Sequence, residues 1–310
     1  MIDLAIIGGG PAGLSAGIYA SRGGLENVHL YEKVTFGGQI ILSSEVENYP
    51  GLKDPISGLE LMKDWLGQAK KFGLKEISEE VVRISKSGGI FDIELASKEI
   101  KKAKSVLVCT GSVPRKAGFK GEDEFFGKGV SVCATCDGFF YKNRDVIAVG
   151  GGDTALEEAL YLSSMCSKVY LVHRRDKFRA APITVSKVLR NKKIELVIDS
   201  TVDEIYGDKN GVEGAIIQNK KDKSKRNIKA FGVFIFVGVK VNNSVLKQAD
   251  GSFLCDLNDN GEVIVDINMH TSLDGLFSAG DMRINSPKQV VCSASDGAIA
   301  GIEAISYVGI

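Results

Sequence analysis

Cys133-Ala134-Thr135-Cys136-Asp137 gathers two thiols and a carboxylate into five residues. Two sulfurs at this spacing can close and reopen a disulfide, form half of a zinc site, or lie inert in a core. A structural zinc site needs two more Cys or His ligands at short spacing. The nearest other cysteines in sequence, Cys109 and Cys166, form no second short pair, and His29, His173 and His270 are scattered. Redox exchange is therefore the expectation, with no metal. A two-residue spacer at a helix start brings the sulfurs together, and the helix amides stabilise a thiolate. The adjoining Asp137 can move the proton that thiol chemistry requires. Cys109, Cys166, Cys255 and Cys292 lie in apolar surroundings and read as small core residues.

Two glycine turns accompany the dithiol. Gly8-x-Gly10-x-x-Gly13 joins an apolar strand at 2–7 to a helix running to about Arg22, followed by a strand at 28–32. Glycines there permit the turn and a close approach of pyrophosphate, and the helix N-terminus presents unpaired amides to the phosphate charge. Glu32, 24 residues beyond Gly8, ends the second strand, where a carboxylate accepts hydrogen bonds from ribose hydroxyls. FAD and NAD satisfy such a turn equally.

Gly150-x-Gly152-x-x-Ala155 repeats the pattern between a strand at 146–149 and a helix at 153–164. Counting 24 residues from Gly150 reaches Arg174, so a cation takes the place of Glu32. A carboxylate there would repel the 2′-phosphate of NADP; Arg174 and Arg175, with Arg179 as a third cation, can bind it. NADPH is expected over NADH.

These pieces must be carried by elements that the rest of the chain supplies. Its 310 residues suffice for about two domains. With 39 basic and 39 acidic residues, composition makes no case for nucleic acid or an anionic membrane as partner. The basic run at 220–226 reads as a solvated hairpin loop. The start of the chain lacks the features of a signal peptide, no apolar stretch is long enough to span a bilayer, and a cytoplasmic location is expected. Helical periodicity at 59–72 puts Leu59, Met62, Leu66, Ala69 and Phe72 on one face. Strands are expected at 81–84, 90–95, 105–109, 168–172, 194–198, 212–217, 233–237 and 263–265, and a Gly- and Ala-rich helix ends near 307. The simplest account of the last third returns it to the first domain, with the second inserted between.

Together these motifs resemble the bacterial-type, low-molecular-weight thioredoxin reductases over essentially the whole chain. Gly37-Gly38-Gln39, Glu45-Val46-Glu47-Asn48-Tyr49-Pro50-Gly51, His173-Arg174-Arg175, Gly280-Asp281 and Gln289-Val290 add to the likeness. The resemblance implies an α/β fold with two Rossmann-like, three-layer dinucleotide-binding domains. An NADPH domain at 113–242, carrying the dithiol, would be inserted into a discontinuous FAD domain at 1–112 and 243–310.

FAD would be held by Gly8, Gly10, Pro11, Ala12, Gly13, Glu32, Gly37, Gly38, Gln39, Asn48, Gly111, Gly280, Asp281, Lys288, Gln289 and Val290. Of these, Asp281 would meet the ribityl chain, and Gln289 and Val290 the pyrimidine end of the ring. NADPH would be held by Gly150, Gly152, Asp153, Thr154, Ala155, His173, Arg174, Arg175 and Arg179. Cys136 would face the flavin, Cys133 would attack thioredoxin disulfide, and Asp137 would be the acid/base group. A homodimer and a large rotation of the NADPH domain are also implied. Lys288 stands where Arg is frequent, and Cys109-Thr110-Gly111-Ser112 replaces the usual Ala-Thr-Gly-Ala. Reduction of another disulfide is the nearest alternative; a non-catalytic NADP-sensing redox switch is a different class.

Overall fold

A computed structural model describes residues 1–43 and 45–309. The chain forms two compact units, Met1–Val113 with Lys240–Ile310, and Pro114–Val239.

In the first unit the apolar strand Ile2–Ile7 is buried at every position and lies between two parallel neighbours, Val28–Glu32 and Ile100–Val108. Such a strand must be apolar on both faces. Leu4 and Ile6 enter one core with Leu14, Leu30 and Phe277, while Ile2, Ala5 and Ile7 enter the other with Phe91, Ile93 and Val106. Lys75–Ser78 extends the sheet beyond Val28–Glu32. The strand Ile100–Val108 starts earlier than its apolar run. Its polar first half pairs antiparallel with Ile90–Leu95, and its apolar second half pairs parallel with Leu276–Ser278.

The terminal helix Val290–Val308 packs on the first helix, Pro11–Arg22, through bare backbone. A Cβ on Gly297 would lie 2.0 Å from the Ala12 carbonyl oxygen, and one on Gly301 would lie 2.8 Å from that of Ala16. Helix Gly58–Lys71 begins at a capping box formed by Ser57 and Glu60. Its buried face is Leu61, Met62 and Ala69, whereas Leu59 and Phe72 are exposed. The inward face is thus rotated from the one that periodicity selects. Gly58 is pressed against the Ile40 carbonyl, which fixes the first turn and leaves Leu59 pointing outward. Residues 263–265 make isolated bridges at Val263 rather than a strand.

The second unit has three layers. Its central sheet is parallel, in the order Ile194–Val197, Lys168–Val172, Asp145–Gly150, Gly232–Phe236 and Val130–Ser131. Helices Asp153–Met165 and Pro182–Arg190 contribute to the core on one face. An antiparallel meander, Ser200–Asp208, Gly211–Asn219 and Lys225–Lys229, covers the other. The turn at 220–224 joins the last two strands, and its neighbourhood is ion-paired: Lys221 with Asp199, Lys225 with Asp203, Arg226 with Glu195.

Candidate active site

Cys133 and Cys136 are joined by a disulfide with Cα atoms 5.4 Å apart. The turn that carries them is the four-residue helix Ala134–Asp137, for which Cys133 is the N-cap. The Cys136 amide donates to Cys133 Sγ at 3.2 Å. Of the two sulfurs, Cys133 thus occupies the position in which a helix amide supports negative charge. Ser131, at the end of a strand of the central sheet, organises the other side of the turn. Its hydroxyl donates to Asp137 Oδ2 at 2.6 Å and accepts from the Cys133 amide at 3.1 Å. The Asp137 carboxylate is thereby tied to the Cys133 end of the pair. Phe139 and Phe140 follow at once and are both exposed.

The three buried cysteines are poor nucleophiles by contrast. Burial pushes the thiols of Cys166 and Cys255 up to about 11 and that of Cys109 higher still. Cys292 is only partly buried, unlike the other three, because it lies in the first turn of the terminal helix.

In the first unit the turn at 8–13 is a backbone surface. A Cβ on Gly13 would sit 2.0 Å from the Gly8 carbonyl oxygen, so the helix closes directly on the turn. Gly10 faces Gly38, whose φ is +68° and whose added Cβ would come within 2.9 Å of the Gly10 Cα. Glu32 is held by its own backbone surroundings: Oε2 accepts from the Gly9 amide at 2.9 Å and Oε1 from the Val34 amide at 3.1 Å.

The rest of the predicted set lies in the same unit. Gln39 donates to the Ser112 carbonyl, and Asn48 Nδ2 lies 3.5 Å from Gln289 Oε1. Asp281 accepts from the Ser293 hydroxyl at 3.2 Å, and burial raises its carboxyl above the usual range. Bare amides at a helix start with ordered carboxylates fit the phosphates and hydroxyls of a dinucleotide.

In the second unit a Cβ on Gly150 would meet Ala155 Cβ at 2.5 Å, and one on Gly152 would meet nothing within 4 Å. The outermost glycine is open to a ligand. The His173 ring lies flat beside Phe178 and packs on Gly151, where an added Cβ would approach it to 2.1 Å. Its Nε2 is 3.1 Å from the Lys177 carbonyl oxygen. Burial, followed by Arg174 and Arg175, holds this imidazole below its ordinary value. His173 therefore braces the turn through its ring.

The loop after it folds back, with the Arg179 amide donating to the Gly151 carbonyl at 2.8 Å. Asp153 accepts from the Ala181 amide at 2.7 Å, which fixes the loop's far end. Arg174, Arg175 and Arg179 are exposed there, and none takes part in an ion pair with a described residue. Three free cations beside an open glycine turn suit an extra phosphate.

The family model for pyridine nucleotide-disulphide oxidoreductases matches residues 2–297. The chain belongs to this family. A thioredoxin reductase from Helicobacter pylori is 55% identical over 308 residues, covering 99% of each chain. One from Peptoclostridium acidaminophilum is 42% identical, covering 99% of this chain and 96% of its own. Among solved structures, a thioredoxin reductase from Streptococcus pyogenes superposes with a TM-score of 0.92 at 37% identity, covering 99% of this chain and 98% of its own. The family's reaction class gives the Cys133–Cys136 pair its context: a pyridine nucleotide on one side and a disulfide on the other.

Sequence reasoning missed three contributors. Ser131, and Glu158, whose carboxylate accepts from the Ala134 amide at 3.1 Å, carry no motif of their own. The third is the Arg283–Asp296 pair, in which Arg283 Nε donates at 2.7 Å and Nη2 at 2.8 Å to a carboxylate that also accepts from the Gly280 amide. This pair anchors the turn that presents Asp281. An Arg and an Asp 13 residues apart offer no local signal for that pairing.

Proposed function

We propose that this chain is an NADPH-dependent thioredoxin–disulfide reductase. The reading is carried by one observation: a disulfide at the start of a helix shares its unit with an arginine-flanked dinucleotide turn. Bound NADPH would supply a hydride, and bound FAD would supply the means of relaying an electron pair to a disulfide. The turn at 8–13, with Glu32, Gly37, Gly38, Gln39, Asn48, Gly111, Gly280, Asp281, Lys288, Gln289 and Val290, would hold FAD. Gly150, Gly152, Asp153, Thr154 and Ala155, with His173, Arg174, Arg175 and Arg179, would hold NADPH. On this reading the first unit is the flavin domain and the second the NADPH domain.

The protein's own chemistry is thiol–disulfide exchange. In the reduced dithiol, Cys133 Sγ ionises most readily because the Cys136 amide supports its charge. It attacks one sulfur of thioredoxin disulfide, and the other sulfur leaves as a thiolate that takes up a proton. Cys136 then gives up its proton and attacks Cys133 Sγ. This restores the internal disulfide and releases dithiol thioredoxin. Asp137, steadied by Ser131, is the group placed to hold and return protons at the Cys133 end. The exposed Phe139 and Phe140 support a protein acceptor, since two exposed rings beside a reacting pair offer apolar contact area.

We also propose a cytoplasmic homodimer. Four free cysteines beside a single redox disulfide suit a reducing compartment. Among the described residues no helix is long and apolar enough to cross a membrane.

The decisive test is NADPH oxidation by the FAD-loaded protein with thioredoxin, beside a Cys133→Ser/Cys136→Ser variant. Rapid turnover by the wild type and none by the variant is expected. Flavin reduction by NADPH without turnover on thioredoxin would mean that the acceptor is a different disulfide.

A further inference from the structure

The helix that bears Cys136 is only four residues long, too short to hold itself together against the cost of nucleation. In the oxidised protein the disulfide closes the turn. Once that bond is reduced, the same geometry must be kept by contacts from outside. Ser131 supplies them on the strand side. On the opposite side, Glu158 Oε2 accepts from the Ala134 amide at 3.1 Å. Glu158 lies on helix Asp153–Met165, the helix that starts at the second glycine turn. Burial raises its carboxyl above the usual range, so its presence there is not explained by solvation. The dithiol turn runs along this helix: Ala134 is fully buried, and a Cβ on Gly138 would come within 3.1 Å of Leu162 Cδ2 and 3.3 Å of Met165 Sδ.

We propose that Glu158 is a positioning residue of the dithiol, docking the turn by its Ala134 amide so that the Cys136 amide stays on Cys133 Sγ after reduction. Two of the helix amides then have distinct duties. That of Ala134 goes to Glu158, that of Cys136 goes to Cys133 Sγ, and the sulfurs are made unequal. Without Glu158 the reduced turn is free to swing on Cys133, the amide drifts off the sulfur, and the preference for Cys133 as thiolate falls. The inference rests on the dithiol reading above, and concerns which sulfur reacts rather than what it reacts with.

The test uses the FAD-loaded protein, reduced with dithiothreitol, desalted, and treated with limiting iodoacetamide. Mass spectrometry of the singly labelled protein gives the ratio of label on Cys133 to that on Cys136. The wild type is expected to favour Cys133 by about tenfold or more, the scale of one hydrogen bond to a charged group. Glu158→Ala should bring the ratio close to even. Glu158→Gln keeps the acceptor oxygen and should keep the preference. Unchanged NADPH affinity in both variants would show that the unit is intact.

If Glu158→Ala labels like the wild type, the proposal is overturned. It is overturned equally if Glu158→Gln loses the preference along with it, because charge rather than the hydrogen bond would then be responsible. Failure of the wild type to turn over thioredoxin would remove the functional reading while leaving the labelling ratio measurable.

Discussion

The two glycine turns share a backbone plan and differ in what leans on them. In each, a strand ends in three glycines, a helix follows, and the next parallel strand delivers a side chain onto the middle glycine. At Gly9 that side chain is Glu32, whose carboxylate is held by two backbone amides. At Gly151 it is the ring of His173, with Arg174 and Arg175 just beyond it in solvent. The first arrangement offers an ordered acceptor for hydroxyls; the second offers exposed cations for an added phosphate. On the proposed reading one frame serves two nucleotides, and the choice lies at the end of the second strand rather than in the glycines.

The largest effect that would break this comparison is steric. Gly13→Ala drives a methyl group into the Gly8 carbonyl, whereas the matching position in the second unit already carries Ala155. Gly13→Ala should cost about 3 kcal/mol or more and leave the purified protein without flavin. Ala155→Gly should cost only about 1 kcal/mol from lost helix propensity. Urea unfolding and the flavin absorbance of each variant check both figures. Equal costs would mean that the two turns are not packed in the way described.

A smaller effect sharpens the electrostatic half of the contrast. Replacing Arg174 and Arg175 by Ala removes two charge-assisted contacts and should raise KM for NADPH by about 100-fold, with KM for NADH nearly unchanged. A parallel rise for both nucleotides would place the arginines outside the 2′-phosphate site.

The smallest effect concerns the acid that has no counterpart in the second turn. Asp281 has a raised folded-state carboxyl value, so the folded protein binds its proton more tightly than the unfolded chain does. Stability therefore falls as pH rises from the ordinary value of 3.8 through the raised folded value, and the full penalty persists at neutral pH. Asp281→Asn should stabilise the flavin-free protein at pH 7 and lose that advantage near pH 3, while retaining FAD less tightly. Urea midpoints at the two pH values and a flavin titration measure this. An advantage that grew on acidification would contradict the assigned direction.

Much of the candidate site is legible in the sequence because its signals are local. Three glycines at a strand end, a dithiol spaced by two residues, and acid or base 24 residues on are all read over short windows where backbone geometry dictates residue type. The helices Pro11–Arg22 and Asp153–Met165 follow from the same windows. Less legible was which side of helix Gly58–Lys71 faces inward, since Leu59 and Leu61 are both apolar and only the contact of Gly58 with Ile40 chooses between them. The early start of Ile100–Val108 was hidden for a similar reason. Its lysines tolerate a strand because Ile90–Leu95 pairs with that half.

By itself the amino-acid sequence determined the chemistry available to this protein: a redox pair, an acid beside it, and two glycine turns of opposite flanking charge. Tertiary structure alone decided how that chemistry is held. Ser131 reaches Asp137, Glu158 reaches the Ala134 amide, and Arg283 reaches Asp296 only because separate strands and helices stop where they do. The reason is physical. A short motif fixes its own backbone, but a hydrogen bond across 13 or 24 residues depends on the register and packing of everything between its ends.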